Sequence, residues 1–139
     1  MAGASYAIKT RVDRPQASRY AFAEQKTMYG GRRIAAGDAI FVYASENGGG
    51  RGLVAKGVVR AVEPTPKKAG IERQTPRVSV VVERSALAAR RHGRSELKGF
   101  SDWDDGRPET ELNFKFYRQA TDKIVGITEP TARFLDGFF

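Results

Sequence analysis

The sequence predicts an α+β protein, a small and strongly bent β-barrel of five to six strands with short flanking helices. Three observations point there. Apolar, β-branched and aromatic residues fall in short runs rather than long ones. Clusters of Gly, Pro, Asn and Asp punctuate those runs at close spacing, and helical periodicity is confined to three short stretches. A doubly wound sheet would need a full helix between successive strands. With 139 residues, no repeat and no low-complexity tail, the chain reads as a single domain over 1–139.

Ser5 to Val12 alternates small, apolar and polar residues, as a first strand would, and Asp13-Arg14-Pro15 ends it. Residues 16 to 26 place Ala17, Tyr20, Ala21 and Glu24 at helical spacing, with Asp13 as cap and Pro15 in the first turn, predicting a helix that Gly30-Gly31 terminates. Gly37-Asp38 is a turn, and Ala39 to Ser45 is apolar on both faces, the mark of a central strand. Glu46 to Gly52 links it to Leu53–Val62 as a hairpin. Gly50-Arg51-Gly52-Leu53-Val54-Ala55 has the spacing of a dinucleotide loop, but such a loop opens a helix and this one opens a strand. Pro64 to Pro76 is a loop before a strand at Arg77–Glu83, rich in valine. Ser85 to Leu97 predicts a short basic helix broken at Gly93. Phe100 to Asn113 reads as an acidic loop around Trp103, followed by strands at Phe114–Gln119 and Ile124–Ile127. Thr128 caps a last helix with Pro130 in its first turn and an apolar stripe of Phe134, Leu135, Phe138 and Phe139.

Composition excludes several chemistries. There is no cysteine and one histidine, His92, so disulfide frameworks, thiol catalysis and histidine-rich metal sites are ruled out. Asp102, Asp104, Asp105, Glu109 and Glu111 lack the alternation and central glycine of a calcium loop, so they read as a solvated acidic loop and no metal or cofactor is expected. His92 lies in Arg90-Arg91-His92-Gly93-Arg94, which opposes its protonation, and it reads as a surface residue of a basic patch. No run approaches the roughly 20 apolar residues of a membrane span and no leader is visible, so the expectation is a cytoplasmic protein without membrane contact.

A net charge of +8 points toward polyanions, and most of the cations are arginine, whose planar fork suits phosphate. Trp103, flanked by acidic residues, has two readings: it stacks on a base as a lid, or it anchors its own loop to the barrel.

Several strings, in order, resemble the EVE domain of the PUA-like superfamily, related to the YTH and ASCH domains, over most of the chain. Tyr6-Ala7-Ile8-Lys9-Thr10 resembles its opening strand, with Tyr6 where the family has tryptophan, and Gly37 to Ser45 resembles its Gly-Asp strand, with Ala44 where the family has histidine. Met28-Tyr29-Gly30-Gly31 resembles its Trp-Asp-Gly loop, and Gly57-Val58-Val59 the strand after the hairpin turn. Tyr117-Arg118-Gln119 and Asp122 to Thr128 resemble its Arg-Gln segment, last strand and helix start.

The resemblance implies a PUA-like barrel whose pocket accepts a flipped, modified base of DNA or RNA. The matching positions are Lys9, Thr10, Tyr29, Tyr43 and Ser45, to which the residue-level reading adds Asn47 and Trp103. Arg32, Arg33, Arg51, Arg90, Arg91, Arg94 and Arg118 are candidates for a phosphate-binding rim. The expected function is base recognition without catalysis, by the chain alone or beside a nuclease or methyltransferase partner. One alternative is a small ASCH-like amidohydrolase acting on modified nucleosides through Lys9 and Thr10; another is a protein-interaction module.

Overall fold

The computed structural model describes residues 5–46, 50–65, 77–117 and 123–139. Asn47 and Arg118 fall outside the described residues. The strands are β1 Ser5–Thr10, β2 Arg19–Met28, β3 Ala39–Ala44, β4 Gly52–Pro64, β5 Arg77–Leu87 and β6 Lys123–Ile127. Helices α1 Arg94–Leu97, α2 Pro108–Leu112 and α3 Glu129–Asp136 flank them, with a wide helical turn at Asn113–Tyr117 continuing α2 and a 3-10 turn at Gly31–Arg33. Among the described residues no helix is long and apolar enough to cross a membrane.

The strands close into a barrel in the order β1-β3-β4-β5-β2-β6. β1 runs parallel to β3 and antiparallel to β6, and β6 runs parallel to β2, so residues near both ends of the chain form adjacent staves. β3, β4, β5 and β2 continue antiparallel round the wall. Closure leaves no free sheet edge.

Side-chain alternation builds two apolar layers. Tyr6, Ile8, Ile40, Val42, Val80 and Ile124 belong to the cluster that fills the barrel interior. Ala7, Phe41, Tyr43 and Val125 point out of the same strands and are covered by Leu97, Leu112, Phe116 and Leu135 from the helices. This explains why Ala39–Ser45 is apolar on both faces: one face lines the barrel and the other carries the helical layer.

Three sequence expectations are corrected. Residues 19–28 of the expected helix are the strand β2, because Tyr20 and Phe22 fill the barrel and pair with Val82 and Val80. Asp13 does not act as a cap there; its carboxylate is paired with Arg11 at 2.9 Å. The expected helix from Ser85 shrinks to Arg94–Leu97, since β5 continues to Leu87 to satisfy β4, with Lys56 opposite Ala86 and Ala55 opposite Leu87. Phe114 to Tyr117 of the expected strand are helical, the rest of it lying outside the described residues, and α2 lies within the expected acidic loop: Leu112 and Phe116, four apart, are both buried on one helical face. The β3–β4 hairpin, β6 and the Thr128-capped α3 are as the sequence predicts; the Thr128 hydroxyl accepts from the Thr131 N–H.

β6 also carries an unusual residue. Lys9, Lys123 and Lys26 lie abreast on β1, β6 and β2, and Lys123 is 1% exposed with no hydrogen-bond partner for its amine among the described residues. Burial, then the charges of Lys9 and Lys26, pull its pKa down to about 8. An unpaired buried amine is a cost that a well-packed apolar side chain would not carry. Lys123→Met should therefore raise the unfolding free energy at pH 7 by roughly 1–3 kcal/mol in urea denaturation. Between pH 8 and the ordinary 10.5 Lys123 binds more protons in the unfolded chain than in the folded one, so its contribution to stability should climb across that window, and the gap between wild type and Lys123→Met should narrow there.

Candidate nucleic-acid interface

The residues singled out in the sequence fall into two groups. Lys9, Thr10, Tyr43 and Ser45 come together where β1 and β3 end, and all four are buried. The Ser45 N–H donates to the Thr10 carbonyl at 2.9 Å. The Lys9 amine donates to the Phe116 carbonyl at 2.9 Å and sits 4.0 Å from the centroid of the Tyr117 ring. Tyr43 is fully buried; its ring lies 5.0 Å from Phe116 and its hydroxyl is 2.8 Å from His92 Nδ1. Burial pushes the Tyr43 phenol well above its ordinary range. In this conformation Tyr43 presents no open face on which a base would stack.

His92 corrects the surface reading. It is 3% exposed, wedged between Tyr43, Phe134 and Phe138, because the segment after β5 crosses over β4 and its carbonyl accepts from the Leu53 N–H at 2.7 Å. That crossing explains the glycine that opens β4. Gly52 has φ of +87°, and a Cβ there would lie 2.4 Å from the His92 carbonyl oxygen. Burial lowers the His92 pKa from 6.5 against the opposing pull of Glu96 and Glu109.

The second group is open to solvent. Tyr29 and Trp103, 38% and 40% exposed, both lean on Phe114, with ring centroids 5.9 and 5.5 Å away respectively. Tyr29 is a non-glycine residue at φ of 51°, followed by Gly30 at φ of 83°. Its carbonyl accepts from the Gly126 N–H of β6 at 3.1 Å, which ties the strained turn to the barrel wall. One groove of about 490 Å³ is lined by Thr27 to Arg33, and a shallower one of about 320 Å³ runs from Tyr29 and Arg33 to Lys115 and Thr128. Beyond Lys115 and Thr128 lies a cleft of about 510 Å³ walled by Trp103, Phe114 and Pro130, with Arg107 on its lining.

The arginines divide in the same way. Arg32 and Arg33 are exposed on the 3-10 turn beside Tyr29. Arg51, Arg91 and Arg94 lie on a different surface, around Gly52 and Gly93, where Arg91 is 3.7 Å from Glu96 and the Arg94 N–H donates to Glu46. Arg90 is held against the C-terminal segment, donating to the Gly137 carbonyl and lying 4.5 Å from the centroid of Phe138.

The cleft and shallow groove rest on a clamp that the sequence reading missed. Glu111 accepts from the hydroxyls of Thr128 and Thr131 at 2.7 Å, from the Thr128 N–H at 3.0 Å and from Lys115 at 2.9 Å. Lys115 also donates to the Gly126 carbonyl at 2.7 Å. α2, α3 and β6 are thus tied through one carboxylate. Burial pushes that carboxyl up, but the hydrogen bonds from Thr128, Thr131 and Lys115 outweigh it and hold the pKa below the usual range. The signal for it was in the sequence: Pro108 followed by Glu111 and Lys115, a helix start and an i,i+4 ion pair.

No protein-family model and no curated protein matches the chain. Solved structures do match. Human THYN1 in complex with DNA containing 5-methylcytosine is 15% identical, covering 95% of this chain and 95% of that one, with a TM-score of 0.64. The DUF55 domain of human thymocyte nuclear protein 1 is 15% identical over 94% and 95% of the two chains, with a TM-score of 0.60. A Pseudomonas putida protein is 14% identical over 97% and 99%, with a TM-score of 0.62. The chain has the fold of these structures, in keeping with the PUA-like barrel that the sequence resemblance implies. In this barrel the interior is packed with side chains, and the clefts described above lie outside it, over the helical layer and the Tyr29 turn.

Two outcomes test the roles of Glu111 and His92. Glu111→Gln should cost roughly 3 kcal/mol in urea denaturation, since it leaves Lys115 and two threonines without their anion. The lowered pKa of Glu111 means its contribution is present above the ordinary value of 4.5 and is lost as pH falls through the folded-state value. For His92, also lowered, stability should decline as pH drops below 6.5, and His92→Leu should shrink the difference measured between pH 7.5 and pH 5.

Proposed function

We propose that the chain binds nucleic acid and reads one base, in a modified form, that has been taken out of its stack against Tyr29. The observation that carries this is the Tyr29 turn: an exposed aromatic ring held at positive φ beside two exposed arginines, on a chain of net charge +8. Base extrusion needs an aromatic face to replace lost stacking and cations to hold the backbone on either side. Tyr29 supplies the face. Arg32 and Arg33 supply the cations. The 5-methylcytosine DNA held by human THYN1, which shares the fold, supports the same class of ligand here.

In this reading Lys9, Thr10, Tyr43 and Ser45 act from beneath. They fix the ends of β1 and β3 and the helical turn that carries Phe114, the ring on which Tyr29 leans. The reaction is binding alone, so its energy comes from stacking, phosphate contacts and groove contacts with the base.

Fluorescence anisotropy with labelled oligonucleotides carrying cytosine, 5-methylcytosine, adenine or N6-methyladenine at two salt concentrations tests the proposal. Binding that favours one modified base and weakens with salt is the expected result. Tyr29→Ala should weaken it by about 1–3 kcal/mol while Tyr29→Phe keeps most of it, and Arg33→Gln should reduce the salt slope by about one. Absence of binding to every oligonucleotide, or binding indifferent to both base and Tyr29, would overturn it.

A further inference from the structure

We infer that the Trp103 cleft is a second nucleotide station, separate from the Tyr29 groove, so that the chain holds two nucleotides of one unpaired strand. The inference rests on the nucleic-acid reading above and extends it to a site in the helical layer.

The cleft has the size of a ligand site: about 510 Å³, within the roughly 300–1,000 Å³ typical of small-molecule pockets. Its walls are Trp103, Phe114 and Pro130, planar or flat apolar surfaces suited to a heteroaromatic ring. Its base is rigid. Glu111 holds Thr128 and Lys115 in place, and its oxygens are occupied by those bonds, so the clamp shapes the cleft while the aromatic walls supply the attraction.

The loop that carries Trp103 is organised in advance. Asp102 accepts from the Asp104 N–H, and Asp105 accepts from the Arg107 N–H at 2.9 Å and the Thr110 hydroxyl at 3.0 Å. Two of the acidic residues that flank Trp103 in sequence therefore bond within their own loop. Ordering the loop before binding lowers the entropic cost of presenting an exposed indole.

Charge selects the class of occupant. Lys115 is matched by Glu111, whereas the exposed Arg107 contributes a fork-shaped cation to the cleft lining. A planar heteroaromatic ring with an attached phosphate satisfies both features: the ring against Trp103 and Phe114, the phosphate at Arg107.

Continuity selects a strand over an isolated molecule. Lys115 and Thr128 line both the cleft and the shallow groove that reaches Tyr29 and Arg33. Phe114 packs against both Trp103 and Tyr29. A strand running from one cavity to the other meets an aromatic face in each, a geometry that stacked duplex bases cannot offer.

Trp103 is the only tryptophan, so its fluorescence reports on the cleft directly. The probes are cytidine monophosphate, a short single-stranded DNA carrying one 5-methylcytosine, and the matching duplex. Expected are quenching by the single strand, weaker quenching by cytidine monophosphate that Arg107→Gln diminishes, and a preference for the strand over the duplex. In anisotropy, Trp103→Ala should weaken strand binding by roughly 5- to 150-fold, adding to the loss from Tyr29→Ala. Circular dichroism checks that each variant keeps the wild-type fold. Strand binding that needs Tyr29 but is indifferent to Trp103 and leaves its fluorescence unchanged would overturn the second station while the proposed function stands. Quenching by cytidine monophosphate, sensitive to Arg107, with no strand bound would keep the nucleotide chemistry of the cleft but overturn the two-nucleotide footprint and the proposed function with it. No quenching by any probe would overturn the cleft as a nucleotide site.

Discussion

Closure of the barrel through β6 is the constraint on which the rest of this molecule depends. Five residues, Lys123–Ile127, pair antiparallel with β1 on one side and parallel with β2 on the other, so a short segment near the end of the chain joins two staves from its beginning. The same strand positions the surface features. The Gly126 N–H holds the Tyr29 carbonyl, and the Gly126 carbonyl holds Lys115. A strand that bridges distant segments is costly in chain entropy, and its side chains must bury well to be retained. Ile124 and Val125 do so on opposite faces, into the barrel and under the helices.

The helical layer converts this rigid wall into a surface with shape. Leu112 and Phe116 bury one side of the α2 segment, leaving Glu111, Phe114 and Lys115 on the other side, where they meet Thr128 and Trp103. A carboxylate with four donors around it is a strong local fastener because each bond is charge-assisted. It holds the end of one helix against the start of another, so the aromatic rings beside it keep their spacing without a ligand.

Much of the framework was legible in the sequence. The double-faced run Ala39–Ser45 and its hairpin partner were readable because two burying faces leave no polar positions, and Thr128-x-Pro130 was readable because a cap and an N-terminal proline act locally. β2 was not, because Tyr20, Ala21 and Glu24 fit a helical period as well as an alternating one, and only pairing with Val80 and Val82 decides between them. The Phe114 segment failed for the converse reason: short apolar runs do not distinguish a buried helical turn from a strand. His92 was misplaced because neighbouring arginines describe the surface its chain neighbours occupy, not the interior its own ring enters.

By itself, then, the sequence determined the class of fold, a small α+β barrel, the absence of cysteine chemistry, and a basic charge suited to phosphate; these follow from counts, spacing and local turn chemistry. Tertiary structure decided which of the singled-out residues can touch anything. It buried Lys9, Thr10, Tyr43 and Ser45 beneath the helices and left Tyr29 and Trp103 outside, both packed on a phenylalanine that the sequence did not single out. The reason is physical: exposure depends on what covers a strand, and that cover comes from residues about a hundred positions away along the chain, as the Lys9 bond to Phe116 makes plain.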